Sequence, residues 1–147
     1  MRRIANRQIA DSLLHFLQME SGNLIRVLLV DDDADIRQEL KNVLNAYSNI
    51  EVVGEASDGD EALASVGKLS PTVVVMDIRM KKMDGITAAR LIKTRYPDVH
   101  VVGCSAHSQE YNTYAMKRVC AFEVLVRKDD VTQDLYRAIQ RAAAAVN

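Results

Sequence analysis

From residue 24 onward the chain alternates two hydrophobic rhythms. Short runs rich in Val, Ile and Leu, each of strand length, occupy residues 25–30, 51–56, 73–76, 99–104 and 123–126. Between them apolar residues recur at helical spacing. The first such segment, 34–47, places Ile36, Leu40, Val43, Leu44 and Tyr47 on one face; the second carries Ala62, Leu63, Val66 and Leu69 and is stopped by Pro71. A third spans 86–96 with Pro97 after it, a fourth 108–119, and a fifth 134–146 with Leu135, Ile139, Ala142 and Val146 in register. The strands read as continuous apolar runs, without in-out alternation, so both of their faces must be covered. The pattern predicts an α/β fold: a doubly wound, five-stranded parallel sheet with helices on both faces.

Ahead of residue 24, Ile9, Leu13, Phe16 and Leu17 also recur at helical spacing, ended by Ser21-Gly22. Residues 1–22 therefore read as an N-terminal extension, a short amphipathic helix that packs or dimerises; the alternative is a leader ahead of a start at Met19. Asn6, Arg7, Gln8, Asp11 and His15 interrupt the apolar positions, so the segment lacks the continuous core of a signal peptide. With 147 residues, 48% hydrophobic and 27% charged, one domain with a real core is expected, spanning 23–147. A formal net charge of -1 offers no global basic field for nucleic acid and no acidic excess pointing to disorder. Charge chemistry must then be local. No apolar run approaches the roughly 18 residues that span a bilayer, and Cys104 and Cys120 lie outside metal-type spacing. The expectation is a soluble, cytoplasmic protein with two reduced thiols, binding neither membrane nor nucleic acid through this chain.

In doubly wound sheets the ligand sits beyond the carboxyl ends of the strands, where strand order reverses. The first strand delivers Asp31, Asp32 and Asp33 there, the third Asp77, the fourth Ser105, and the fifth Arg127 and Lys128. After the second come only Ser57, Asp58 and Gly59, which read as a turn and helix cap. Carboxylates gathered from two strand ends repel one another unless a cation sits among them. Oxygen ligands with room for water suit Mg²⁺, and the lack of His or Cys at these ends argues against zinc. A hydroxyl and a cationic side chain nearby add donors for phosphoryl oxygens, and a carboxylate can itself be the nucleophile that accepts the group.

"LLVDDD", "VVVMDIRMKKMDGI" and "VVGCSAH" together resemble the receiver domains of two-component response regulators, over all of the chain except its first 22 residues. The resemblance implies a flavodoxin-like receiver fold and a phosphoprotein of a phosphorelay. It implies that Asp77 is phosphorylated by a sensor histidine kinase or phosphotransfer protein, with Asp32 a direct metal ligand, Asp31 its partner partly through water, and the main-chain carbonyl of Arg79 a third ligand. Ser105 resembles the hydroxyl that bonds the phosphoryl group. The family's lysine falls on Arg127 counting forward from Ser105 and on Lys128 counting back from "LYRAI"; Lys128 is favoured for its compact ammonium. Asp33 and Asp35 are assigned to the N-terminus of the first helix.

Such a domain accepts and releases a phosphoryl group without turning over an external substrate, and switches a face built by the fourth helix, fifth strand and fifth helix, a surface for output or a homodimer. "RKDD" looks most like receivers of LuxR-type, helix-turn-helix transcription regulators. With the chain stopping at Asn147, either a single-domain regulator or one whose output module has been cut away is expected. Lys81 stands where the family usually has Pro, which frees the loop and adds positive potential. An aromatic expected at Val124 or Leu125 is missing. His107, two residues past Ser105, reads as a tuning position or an exposed loop residue, and Tyr111 and Tyr114 as packing.

Three rivals are weaker. An EF-hand reading of Asp31, Asp33 and Asp35 fails at Ile36, where Gly is needed, and at Asn42, where Glu is needed. A haloacid-dehalogenase-type phosphohydrolase would place the nucleophile at Asp31 and not Asp77, and Asp35 falls where Thr or Val is required. A degenerate receiver would act as a phosphorylation-independent protein-binding module.

Overall fold

Strand β1 (Ile25–Val30) is apolar at every position but Arg26, and Val27, Leu28, Leu29 and Val30 are all buried. Side chains alternate across a strand, so burial at consecutive positions demands cover on both faces. The computed structural model, which describes residues 24–105, 124–127 and 133–145 together with Ile9, Ala10 and Leu13, supplies that cover. Strands β1, β2 (Ile50–Ala56), β3 (Val73–Asp77), β4 (His100–Ser105) and β5 (Val124–Arg127) form a parallel sheet in the order β2-β1-β3-β4-β5. Among the described residues the helices are α1 (Ala34–Leu44), α2 (Gly59–Leu69), α3 (Gly85–Arg95) and α4 (Gln133–Ala144).

The alternation sorts these helices into two layers. Val27, Leu29, Val75 and Val102 pack with Leu40 and Leu44 of α1 and Leu135 and Ile139 of α4. On the other face Leu28, Val30, Val74, Met76 and Val101 pack with Ala62 and Val66 of α2 and Ala88 and Ile92 of α3. The doubly wound sheet expected from the sequence is the one observed. β2 is its exception: as an edge strand it buries only Ile50 and Ala56 and exposes Glu51 and Glu55. Its register with β1 shifts between Val27 and Leu28, leaving Val53 as an extra residue.

Element ends differ from the hydrophobic pattern for identifiable reasons. β3, β4 and β5 each run one residue further than their apolar runs, because ladder pairing continues through polar residues: Asp77 pairs with Cys104 and Ser105 with Arg127. α1 stops at Leu44, short of Tyr47, as the Ala46 and Tyr47 N–H groups turn onto the carbonyls of Val43 and Leu44 at 3.3 and 3.1 Å. Tyr47 packs elsewhere, stacked on Tyr136 of α4 with ring centroids 3.7 Å apart and planes 6° from parallel. The Tyr136 hydroxyl donates to Asn49 Oδ1 at 3.0 Å.

The helix expected at 108–119 lies outside the described residues, with His107, Tyr111, Tyr114, Cys120 and Lys128. Of the N-terminal extension, Ile9, Ala10 and Leu13 are described; their backbone is helical and their side chains exposed. Among the described residues no helix is long and apolar enough to cross a membrane.

The turn after β2 is the cap its sequence suggests. Asp58 accepts the Glu61 N–H at 2.9 Å, and Glu61 Oε2 accepts the Ser57 N–H at 3.1 Å and the Ser57 hydroxyl at 2.7 Å. The Glu61 N–H holds the Asp58 carboxyl below its usual range, and the Ser57 hydroxyl does the same for Glu61. A carboxyl depressed in the folded state stabilises it above the unfolded pKa, and that stabilisation is lost as the pH falls through the folded value. Urea midpoints are therefore expected to drop as the pH is taken from about 6 to about 3, and to drop less in Glu61→Gln. An identical decline in the variant would show that this cap does not contribute.

Candidate metal centre at the carboxyl end of the sheet

Strand order reverses direction between β1 and β3, and the acids lie at the carboxyl ends of these two strands. One carboxylate oxygen each from Asp31, Asp32 and Asp77 lies within 4.8 Å of the others. Asp31 and Asp77 are buried, at 2% and 5% exposure, whereas Asp32 is exposed. The 46 positions from Asp31 to Asp77 collapse to contact distance because β1 and β3 are hydrogen-bonded neighbours, paired in register from Val27–Val73 to Val30–Met76.

Asp31 is fixed from several sides. Its N–H donates to the Ala56 carbonyl at 3.1 Å, and its Oδ1 accepts the Asp33 N–H at 2.9 Å. Its own carbonyl accepts from Arg37 Nη1. Asp33 caps α1, accepting the N–H groups of Asp35 at 2.9 Å and Ile36 at 3.4 Å, and Asp35 lies in the first turn of that helix. The acidic run thus divides as its spacing suggested.

Asp77 ends β3, and the chain returns at once. The Gly85 N–H donates to the Ile78 carbonyl at 2.8 Å, and α3 begins so close to Asp77 that a Cβ on Gly85 would lie 2.0 Å from the Asp77 carbonyl oxygen. Asp84 caps this helix through the Thr87 N–H at 2.8 Å. The loop between is pinned across to the next one. Met83 packs against Gly59 at the start of α2, where a Cβ would fall within 2.7–2.9 Å of its side chain, and Lys82 Nζ lies 3.5 Å from Asp58 Oδ2. Beside Asp32 this loop shapes an open cleft of about 580 Å³, lined among others by Arg79, Met80, Lys81, Asp84 and Ile86.

The structure therefore brings together Asp31, Asp32 and Asp77, with Arg79 lining the adjoining cleft. Ser105 ends β4 one register step beyond Cys104, the partner of Asp77, and Arg127 of β5 pairs with it. Lys128 follows outside the described residues. The donor set is oxygen only and acidic, which suits a hard divalent cation such as Mg²⁺ or Ca²⁺ over zinc. The open cleft beside it has room for a further oxygen-bearing group, and its wall carries both signs of charge, Arg79 and Lys81 against Asp32 and Asp84. Sequence reasoning missed two supporting residues, Arg37 and Gly85. The only signal for Gly85 was its place in "MDGI", directly before a helical pattern; Arg37 left none.

Residues 27–140 match the family model for the response regulator receiver domain. Over 90 residues the chain is 47% identical to a protein-glutamate methylesterase/protein-glutamine glutaminase of Pyrococcus abyssi, covering 61% of this chain and 24% of that protein. It is 32% identical over 127 residues to the transcriptional regulatory protein DegU of Brevibacillus brevis, covering 85% and 54%. The chain thus spans about a quarter of the methylesterase's length and about half of DegU's. Among solved structures, the response regulator domain of Thermotoga maritima CheB is 30% identical with a TM-score of 0.76, over 84% of this chain and 99% of that one. A LuxR-family response regulator from Aurantimonas is 25% identical with a TM-score of 0.75, over 82% and 85%.

The approach of α3 to Asp77 can be tested by adding one carbon. Gly85→Ala is expected to cost about 2–3 kcal/mol of stability in urea denaturation, because the atom it meets is backbone and cannot rotate away. A loss below about 0.5 kcal/mol would mean that the helix does not sit this close.

Proposed function

The chain belongs to the response regulator receiver family, and we propose that Asp77 accepts a phosphoryl group from a phosphohistidine of a sensor kinase or phosphotransfer protein. The observation that carries this reading is the meeting of Asp77 with Asp31 and Asp32 at the switch point of the sheet. In the transfer, a carboxylate oxygen of Asp77 attacks phosphorus, the P–N bond to the donor histidine breaks, and the imidazole leaves with the electron pair. Mg²⁺, when bound, neutralises charge on the transferring oxygens.

Asp32 is the direct ligand in this proposal, Asp31 acts partly through water, and Asp77 and the Arg79 carbonyl complete the protein's set. The Ser105 hydroxyl and the cation from the end of β5, Lys128 or Arg127, donate to the phosphoryl oxygens. Arg79 and Lys81 along the cleft offset its acids, Asp32 and Asp84, where an anionic donor group approaches. Once bonded, the phosphoryl group biases a two-state equilibrium on the face that the sequence assigns to its fourth helix, fifth strand and fifth helix, the face for output or a homodimer.

We assign this role to residues 23–147, with 1–22 as an extension. The protein acts in the cytoplasm as a phospho-accepting signalling domain, releasing its own phosphoryl group and turning over no other substrate. LuxR-family and DegU-type transcriptional regulators among its relatives make control of transcription the output we propose. The methylesterase activity named for the Pyrococcus abyssi relative belongs to a protein of which this chain matches 24%.

Acetyl phosphate with Mg²⁺ is expected to add one acid-labile phosphoryl group, seen by intact mass, and Asp77→Asn should abolish it. A wild-type chain that stays unmodified would favour the phosphorylation-independent binding module. An adduct that persists in Asp77→Asn would place the acceptor elsewhere.

A further inference from the structure

Arg37 stands in the first turn and a half of α1, after the acidic run, and its side chain is 17% exposed. A solvated helix arginine would project outward. This one turns back across the end of the sheet: Nη1 donates to the main-chain carbonyl of Asp31, and Nε donates to Glu55 Oε1 at 3.2 Å. Glu55 sits on β2, where Lys41 also approaches its other oxygen at 3.9 Å. The guanidinium thus ties together α1, the end of β1 and the edge strand, through the peptide unit that carries one of the three clustered carboxylates.

From this we infer that Arg37, anchored by Glu55, is a positioning residue for the divalent-cation site, acting through the backbone of Asp31. The inference rests on the reading of Asp31, Asp32 and Asp77 as that site. The peptide after Asp31 has two polar ends to hold. Its carbonyl is held by Arg37, and its N–H belongs to Asp32, the exposed member of the cluster. Rotation of this peptide changes ψ of Asp31 and φ of Asp32, the two torsions that set how these residues stand to one another. A planar fork with two directed N–H bonds resists that rotation, and a single ammonium does not.

Two effects of Arg37 oppose each other. Its positive charge, taken alone, disfavours a cation nearby, so its removal would tighten Mg²⁺ binding. Its hydrogen bonds hold the ligands in place, so their loss would loosen it. Glu55 neutralises much of the charge at 3.2 Å, which leaves positioning as the larger effect. Groups that orient metal ligands typically account for about 10–100-fold in affinity, and the low end suits a contact made through the main chain.

The test is calorimetric titration of Mg²⁺ into the full chain, without phosphodonor, beside urea denaturation of each variant. Arg37→Lys keeps the charge and loses the fork; Arg37→Gln loses both. Both are expected to raise the Mg²⁺ dissociation constant about tenfold. Glu55→Ala, at a residue whose side chain is 37% exposed, removes the anchor and should weaken binding in the same direction by a smaller factor. If the Arg37 variants do not fold, Glu55→Ala is titrated at about 0.5 M salt, where the effect of its lost charge is screened: a loss of affinity that persists supports positioning, and one that vanishes overturns it.

An unchanged constant in Arg37→Lys with tighter binding in Arg37→Gln would make the residue purely electrostatic and overturn the inference. Reduced stability with unchanged Mg²⁺ affinity would make it purely structural and overturn it too. Failure of the wild-type chain to bind Mg²⁺ would remove the site reading and this inference together. Wild-type binding that all three variants match would remove this inference only.

Discussion

Three carboxylates within 4.8 Å of one another set the terms for this end of the molecule. Two full negative charges at that separation repel by about 3.5 kcal/mol at an effective dielectric of 20. That is a sizeable part of a small domain's whole stability, about 5–15 kcal/mol. Nothing in the packing of the sheet requires Asp31, Asp32 and Asp77 to meet; apolar residues would end β1 and β3 with less strain. An arrangement this unfavourable for folding alone is one that a divalent cation among the carboxylates would relieve.

The remainder of the fold can be understood as support for that convergence. Parallel pairing of β1 with β3 sets the two strand ends side by side, and burying both faces of β1 fixes the register, since a slip of one residue would exchange the two cores. The chain then turns back directly after Asp77, which stays buried, and leaves the cleft beside Asp32. Gly85 lets α3 start against the Asp77 carbonyl, and Met83 and Lys82 hold the loop to the start of α2. The cleft stays open beside Asp32 because its walls are tied on the far side.

How much of this the sequence disclosed follows from what hydrophobic patterning records. It records burial, so the strands, the two-faced sheet and the strand-end inventory of Asp31, Asp32 and Asp77 were readable, as was the capping role of Asp33. It does not record pairing. Asp77 and Ser105 therefore fell just outside the expected strands although the ladder runs through them. Nor does it record which partner a half-buried ring chooses: Tyr47 fits the helical period of α1 and stacks on Tyr136, 89 positions away. Arg37 was the least legible of all. Its acceptors are a main-chain carbonyl and an acid on an edge strand with an irregular register, and neither leaves a periodic trace.

The acids of the cluster are held to very different degrees. Asp31 is nearly out of water, with its N–H, its carbonyl and one carboxylate oxygen each engaged by a neighbour. Asp32, the next residue, is exposed and faces the cleft. Immobilising a side chain on binding costs about 0.5–1.5 kcal/mol, a cost already met during folding for Asp31 and still to be met for Asp32. A site built this way keeps one fixed pole of negative charge and one adjustable ligand. Under the proposed function Asp32 would be the ligand that adjusts, and Mg²⁺ demands near-ideal octahedral geometry from whatever holds it. Rigidity in Asp31 and exposure in Asp32 thus fall on adjacent residues, and the difference between them comes from burial and from the three hydrogen bonds that hold Asp31.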